Sequence, residues 1–92
     1  MKYYGVIESH QDYKGADATL WGVEKTIEAA RNRMSEAAGE ILSHKREEMS
    51  DSEWEAFFEE YTIGDPERTR DWYYEDDDLV LKLHIEDVDI DL

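Results

Sequence analysis

The chain has no cysteine, one proline and few bases. Without cysteine there is neither a disulfide framework nor a Cys-based zinc site, so stability must come from packing. No apolar run reaches the length needed to span a bilayer, and the N-terminus lacks the basic-then-apolar layout of a signal peptide. These absences point to a cytoplasmic protein. Lys and Arg number 10 against 25 Asp and Glu, for a net charge of −15. Phosphate would be repelled by such a chain, which argues against direct binding of nucleic acid or of an anionic membrane.

Ninety-two residues suffice for one domain, here residues 1–92, with a thin core. Three Trp, six Tyr and two Phe supply large units of burial and argue against a disordered acidic chain. The charge is unevenly distributed. Residues 1–46 hold seven acids and seven bases, whereas residues 47–92 hold eighteen acids against Arg68, Arg70 and Lys82. The whole net charge therefore lies in the second half.

Lys2 to Glu8 is rich in β-formers and reads as a strand. Ser9 to Ala18 is polar and reads as a loop, and Thr19 to Val23 as a second strand paired with the first. Thr26 is placed to cap a helix from Ile27, with Ile27, Ala30, Met34, Ala37, Ala38, Ile41 and Leu42 on one face. Gly39 inside it costs about 1 kcal/mol relative to Ala, and suggests close approach to the sheet. The helix should fade between His44 and Met49. Ser50 and Glu53 have capping-box spacing, so a second helix is expected over Asp51–Tyr61. There Trp54, Phe57, Phe58 and Tyr61 share a face. Gly64-Asp65-Pro66 should end the unit.

Thr69 to Tyr74 reads as a third strand and Glu75 to Asp78 as a turn. Leu79, Leu81, Leu83 and Ile85 then alternate with polar positions, as a strand with one buried face does. His84 falls on its polar side and is expected to be exposed. Beyond Glu86 the phase inverts, with Val88, Ile90 and Leu92 apolar; a β-bulge near Glu86-Asp87, or a bend between two strands, would reconcile the two runs. The expected fold class is α+β: a small antiparallel sheet of about four strands in β-β-α-α-β-β order, with two helices packed on one face.

The stretch Trp21-Gly22-Val23-Glu24-Lys25-Thr26-Ile27-Glu28-Ala29-Ala30, with the acidic closing strand Leu83-His84-Ile85-Glu86-Asp87-Val88, resembles a phrase found in many small uncharacterised bacterial and phage proteins. Glu24-Lys25 stands where those proteins usually carry an aromatic residue and Ser. The resemblance implies an α+β fold and a phage or mobile-element origin, and it implies no activity. In type, the short acidic chain is also similar to phage anti-defence inhibitors, the anti-CRISPR and anti-restriction proteins.

No nucleophile elbow, phosphate loop or dinucleotide fingerprint is present, and His10, His44 and His84 lack metal-ligand spacing. Asp87-x-Asp89-x-Asp91 opens like a calcium loop but lacks the Gly and the later Glu. No enzyme, cofactor or metal is expected. As a strand, Asp87, Asp89 and Asp91 would form a row at about 6.6 Å intervals, twice the strand rise. Asp76, Asp77, Asp78, Glu55, Glu59 and Glu60 could extend it. These nine acids are the expected partner-binding residues of a non-catalytic protein. It would imitate nucleic-acid charge and block a basic nucleic-acid-binding protein or complex. The alternative is a structural or accessory domain that self-associates as a homodimer through a sheet edge, using Val88, Ile90 and Leu92. There the aspartates would only protect that edge.

Overall fold

The computed structural model describes residues 1–12, 15–63, 70–77 and 79–89, leaving aside the side chain of Asp12. The strands are β1 (Lys2–Asp12), β2 (Gly15–Glu24), β3 (Thr62–Ile63), β4 (Asp71–Glu75) and β5 (Leu79–Asp89). The helices are α1 (Ile27–Ile41), α2 (Ser43–Glu47) and α3 (Asp51–Glu60). All strand pairs are antiparallel, in the order β2-β1-β5-β4-β3, and the helices lie on one face. The class is the expected α+β. The additions are the two-residue strand β3 and the short helix α2.

Helix starts follow their local chemistry. Thr26 Oγ1 accepts from the Ala29 N–H at 3.1 Å, which opens α1. At α3 the capping box is complete: Ser50 Oγ accepts from the Glu53 N–H, and Glu53 Oε1 accepts from the Ser50 N–H, both at 3.2 Å. These bonds hold the Glu53 carboxyl below its ordinary range. Between the two helices the chain breaks at Leu42 and resumes as α2, which is how the expected fading is realised.

The expected apolar faces supply much of the core, although Ile27, Ile41, Phe57, Tyr61 and Leu79 are only half-buried. Ala30, Met34, Ala37, Ala38 and Leu42, and Trp54 and Phe58 of α3, bury against Val6, Trp72, Tyr74, Leu81, Leu83 and Ile85. Phe58 stacks on Trp72 at 5.4 Å, and the Trp72 indole N–H donates to the Phe58 carbonyl at 2.7 Å. Trp54 donates to Ser35 Oγ at 3.1 Å, satisfying its indole without leaving the core.

Four expectations change. Ser9–Asp12 and Gly15–Ala18, expected as loop, are strand: His10 pairs with Asp17, Gln11 with Ala16 and Asp12 with Gly15, and Tyr13 and Lys14 lie outside the described residues. Pairing of β1 with β5 through Asp12 draws these polar residues into the sheet. Their apolar alternation is absent because both sides are polar, with Ser9 and Gln11 on the side that carries no helix and His10 and Asp17 on the other. Gly39 approaches α3 and not the sheet, since a Cβ there would lie 3.5 Å from Trp54 Cζ2. His84 is half-buried, with Nε2 3.2 Å from Glu86 Oε1 and Nδ1 enclosed without a partner, because β1 and β4 flank it on both sides.

The fourth change concerns β5. It pairs with β1 without any register shift from Lys2↔Asp89 to Asp12↔Leu79, so there is neither bulge nor bend at Glu86-Asp87. The bulge lies instead in β2, where Trp21 is the extra residue between Leu20↔Ile7 and Gly22↔Val6. Leu79 through Asp89 is one strand, and its odd-numbered side passes from apolar to acidic where the helix layer stops. Val88 points to the helix-free face, where the missing side chain of Gly5 leaves room: a Cβ there would meet Val88 Cγ2 at 3.2 Å. The expected end of the helical unit at Gly64-Asp65-Pro66, and Thr69, Ile90 and Leu92, lie outside the described residues.

Candidate functional site: an acidic surface divided in three

The seven described acids among the nine expected do not form one row. Asp76 and Asp77 lie in the β4–β5 turn, and Asp87 and Asp89 lie at the far end of β5. At about 3.3 Å per residue, Asp87 is roughly 25–30 Å from that turn. Glu55, Glu59 and Glu60 form a third group on α3. Asp78 and Asp91 lie outside the described residues.

The groups also differ in how far their charge is already compensated. Asp87 Oδ1 accepts from Arg70 at 2.6 Å, and Lys2 Nζ lies 3.4 Å from Asp87 Oδ2. The Arg70 hydrogen bond holds the Asp87 carboxyl below its ordinary range, with the Arg70 and Lys2 charges acting the same way against a small desolvation. Asp89 Oδ1 lies 3.4 Å from the Met1 ammonium. Arg70 and Lys2 both lie within 6 Å of the Tyr4 ring, at 5.6 and 5.9 Å. This end of the molecule is mixed in charge.

At the turn, Asp76 has a structural task. Its Oδ1 accepts from the Leu79 N–H at 2.9 Å and its Oδ2 from the Tyr74 hydroxyl at 3.0 Å. Burial, then that hydrogen bond, pushes the Tyr74 hydroxyl up to about 12. Asp77 is exposed beside it.

The α3 group is only partly compensated. The helix carries Asp51, Glu53, Glu55, Glu59 and Glu60 and no base. Asp51 pairs with Arg46, Glu53 serves the cap, and Glu59 pairs with Arg31 at 3.1 Å. Glu55 and Glu60 are exposed and make no ion pair with any described residue. Between α1 and α3 runs a cleft of about 290 Å³, with Ile27 and Phe58 in its apolar lining and Glu28, Glu55 and Glu59 on its rim. Arg31 crosses it, with its Nε enclosed and without a partner. Only the packing of the two helices sets Arg31 among three carboxylates.

Among the described residues no three His, Asp or Glu side chains gather as a metal site, and no helix is long and apolar enough to cross a membrane. Comparison with protein-family models, curated proteins and solved structures finds no match.

Proposed function

We propose that this chain is a non-catalytic, cytoplasmic binding domain that presents the acidic outer side of α3 to a positively charged protein surface of the kind that handles nucleic acid, and blocks it. The observation that supports this most is the composition of α3: five acids, no base, and two carboxylates, Glu55 and Glu60, with no ion pair among the described residues. Carboxylates already paired to Arg70 and Lys2 would have to give up those partners before meeting a new one. Glu59 would likewise have to give up Arg31, whereas Glu55 and Glu60, with Glu28 across the cleft and Asp77, have no ion pair among the described residues and meet no such cost. Affinity would come largely from replacing the partner's bound anions, and would fall as salt rises.

Capture from bacterial extract at low salt, with stepwise salt elution, tests this. Basic nucleic-acid-binding proteins should be retained, should elute as salt rises, and should be displaced by added duplex DNA. The combined reversal Glu55→Lys, Glu59→Lys and Glu60→Lys should lose them, whereas Asp87→Lys should not. Retention by the triple variant, folded by circular dichroism, would remove α3 as the contact surface.

A further inference from the structure

The two edges of the sheet are built differently. One ends in β3, only two residues long, beside Asp71 and Glu75 of β4. That is a short, charged edge of the kind that resists pairing. The other is β2, ten residues long, and no described element pairs with its outer side. It has no Lys and no Pro. Its two acids are Asp17 and Glu24, and Glu24 is compensated by Arg33, whose Nε and Nη2 donate to Glu24 Oε1 at 3.1 and 3.0 Å. From Gly15 to Leu20 the edge pairs with β1 in unbroken register, and the bulge at Trp21 ends that regular stretch. In a chain of net charge −15, this is the longest strand edge on which two copies could meet without crowding carboxylates together.

We propose that the outer edge of β2 pairs antiparallel with the same edge of a second copy, about a two-fold axis at Ala18. A two-fold interface must be self-complementary, and this register is. Ala18 faces Ala18, and Ala16 faces Leu20; all lie on the helix-free side, where Leu20 is 61% exposed. On the helix side, Asp17 faces Thr19, a hydroxyl, and no carboxylate opposes another. Centring on Asp17 would set that carboxylate opposite its copy, and centring on Thr19 would set Asp17 against the bulge at Trp21. The net charge opposes association at long range, so the dimer should strengthen as salt screens it. That is the reverse of the salt response expected for α3 and a basic partner. Five paired residues per copy span about 17 Å, a short seam, so the equilibrium belongs at high protein concentration.

Sedimentation equilibrium of the full chain, at about 0.1 M and about 1 M salt, reads this directly; over that range the screening length falls from about 10 Å to about 3 Å. A monomer–dimer equilibrium that shifts toward dimer with salt is expected. Ala18→Glu and Ala18→Lys should each be monomeric, because each sets like charges opposite one another across the axis. Loss of the dimer in Ala18→Lys is the more telling, since that variant has a smaller net charge. An equal mixture of the two variants should recover a heterodimer. Thr19→Asp, which opposes Asp17 of the copy, is a second probe, and circular dichroism checks that each variant is folded. A wild-type chain that stays monomeric in high salt, a dimer that survives both Ala18 variants, or a mixture that stays monomeric would each overturn the proposal.

Discussion

The two ends of β5 share one strand, one unbroken register with β1 and one alternation, yet they bury opposite sides. From Leu79 to Ile85 the odd-numbered side chains face the helices, and Leu81, Leu83 and Ile85 are buried. From Glu86 to Asp89 the odd-numbered side chains are aspartates held by Arg70, Lys2 and the Met1 ammonium, and the half-buried residue is Val88, on the other side. Strand geometry is the same throughout; what differs is where the helical layer ends. An inversion of hydrophobic phase can therefore mark the limit of the covering layer as well as a bulge.

The largest expected effect separates the two ends by burial. Leu83→Ala, at a fully buried site, should destabilise by about 2–5 kcal/mol, whereas Val88→Ala, half-buried, should cost less than about 1.5 kcal/mol. Urea unfolding measures both, and equal costs would contradict the role given to the helix layer. Next comes the fit of Val88 over Gly5. Gly5→Ala should strain the native chain but not the Val88→Ala background, with a double-mutant coupling of about 1 kcal/mol. Additive effects would show that Val88 is not seated on Gly5.

Smaller effects distinguish the ends by pH. The Tyr74 hydroxyl, bonded to Asp76 at the turn end, titrates at about 12 against an ordinary 10.0. Its folded value is raised, so its contribution is full below the ordinary value and is lost as pH rises through about 12. Tyr74→Phe should remove that alkaline step from the unfolding profile. At the other end the Asp87 carboxyl is lowered by Arg70. Its contribution is present above the ordinary carboxylate range and is lost as pH falls through the folded value. Asp87→Asn should flatten the acid limb of stability and leave the alkaline limb unchanged. A flattened alkaline limb would mean that the ends are not independent.

Much of the fold was legible because it rests on local chemistry. The Thr26 cap, the Ser50–Glu53 box and the aromatic face of α3 need only neighbours in sequence. Legibility failed where a residue's environment comes from distant chain. Ser9 to Ala18 reads as loop because polar residues stand on both sides, and only the pairing of Ser9–Asp12 with β5 and of Gly15–Ala18 with β1 shows these segments to be strand. The candidate site suffered most. Nine acids could be listed from composition, but not that Arg70 and Lys2 occupy Asp87, that Asp76 ties the turn, or that the edge strand is β2.

By itself the sequence determined the α+β class, the helix starts, the aromatic face of α3 and the confinement of net charge to residues 47–92, because these follow from side-chain chemistry and short-range periodicity. Only the tertiary structure decided which strand lies at the edge, which carboxylates are already compensated and on which side Val88 is buried. Those depend on pairing between residues as far apart as Lys2 and Asp89, and on how far the helices cover the sheet. No periodicity within a single segment carries either.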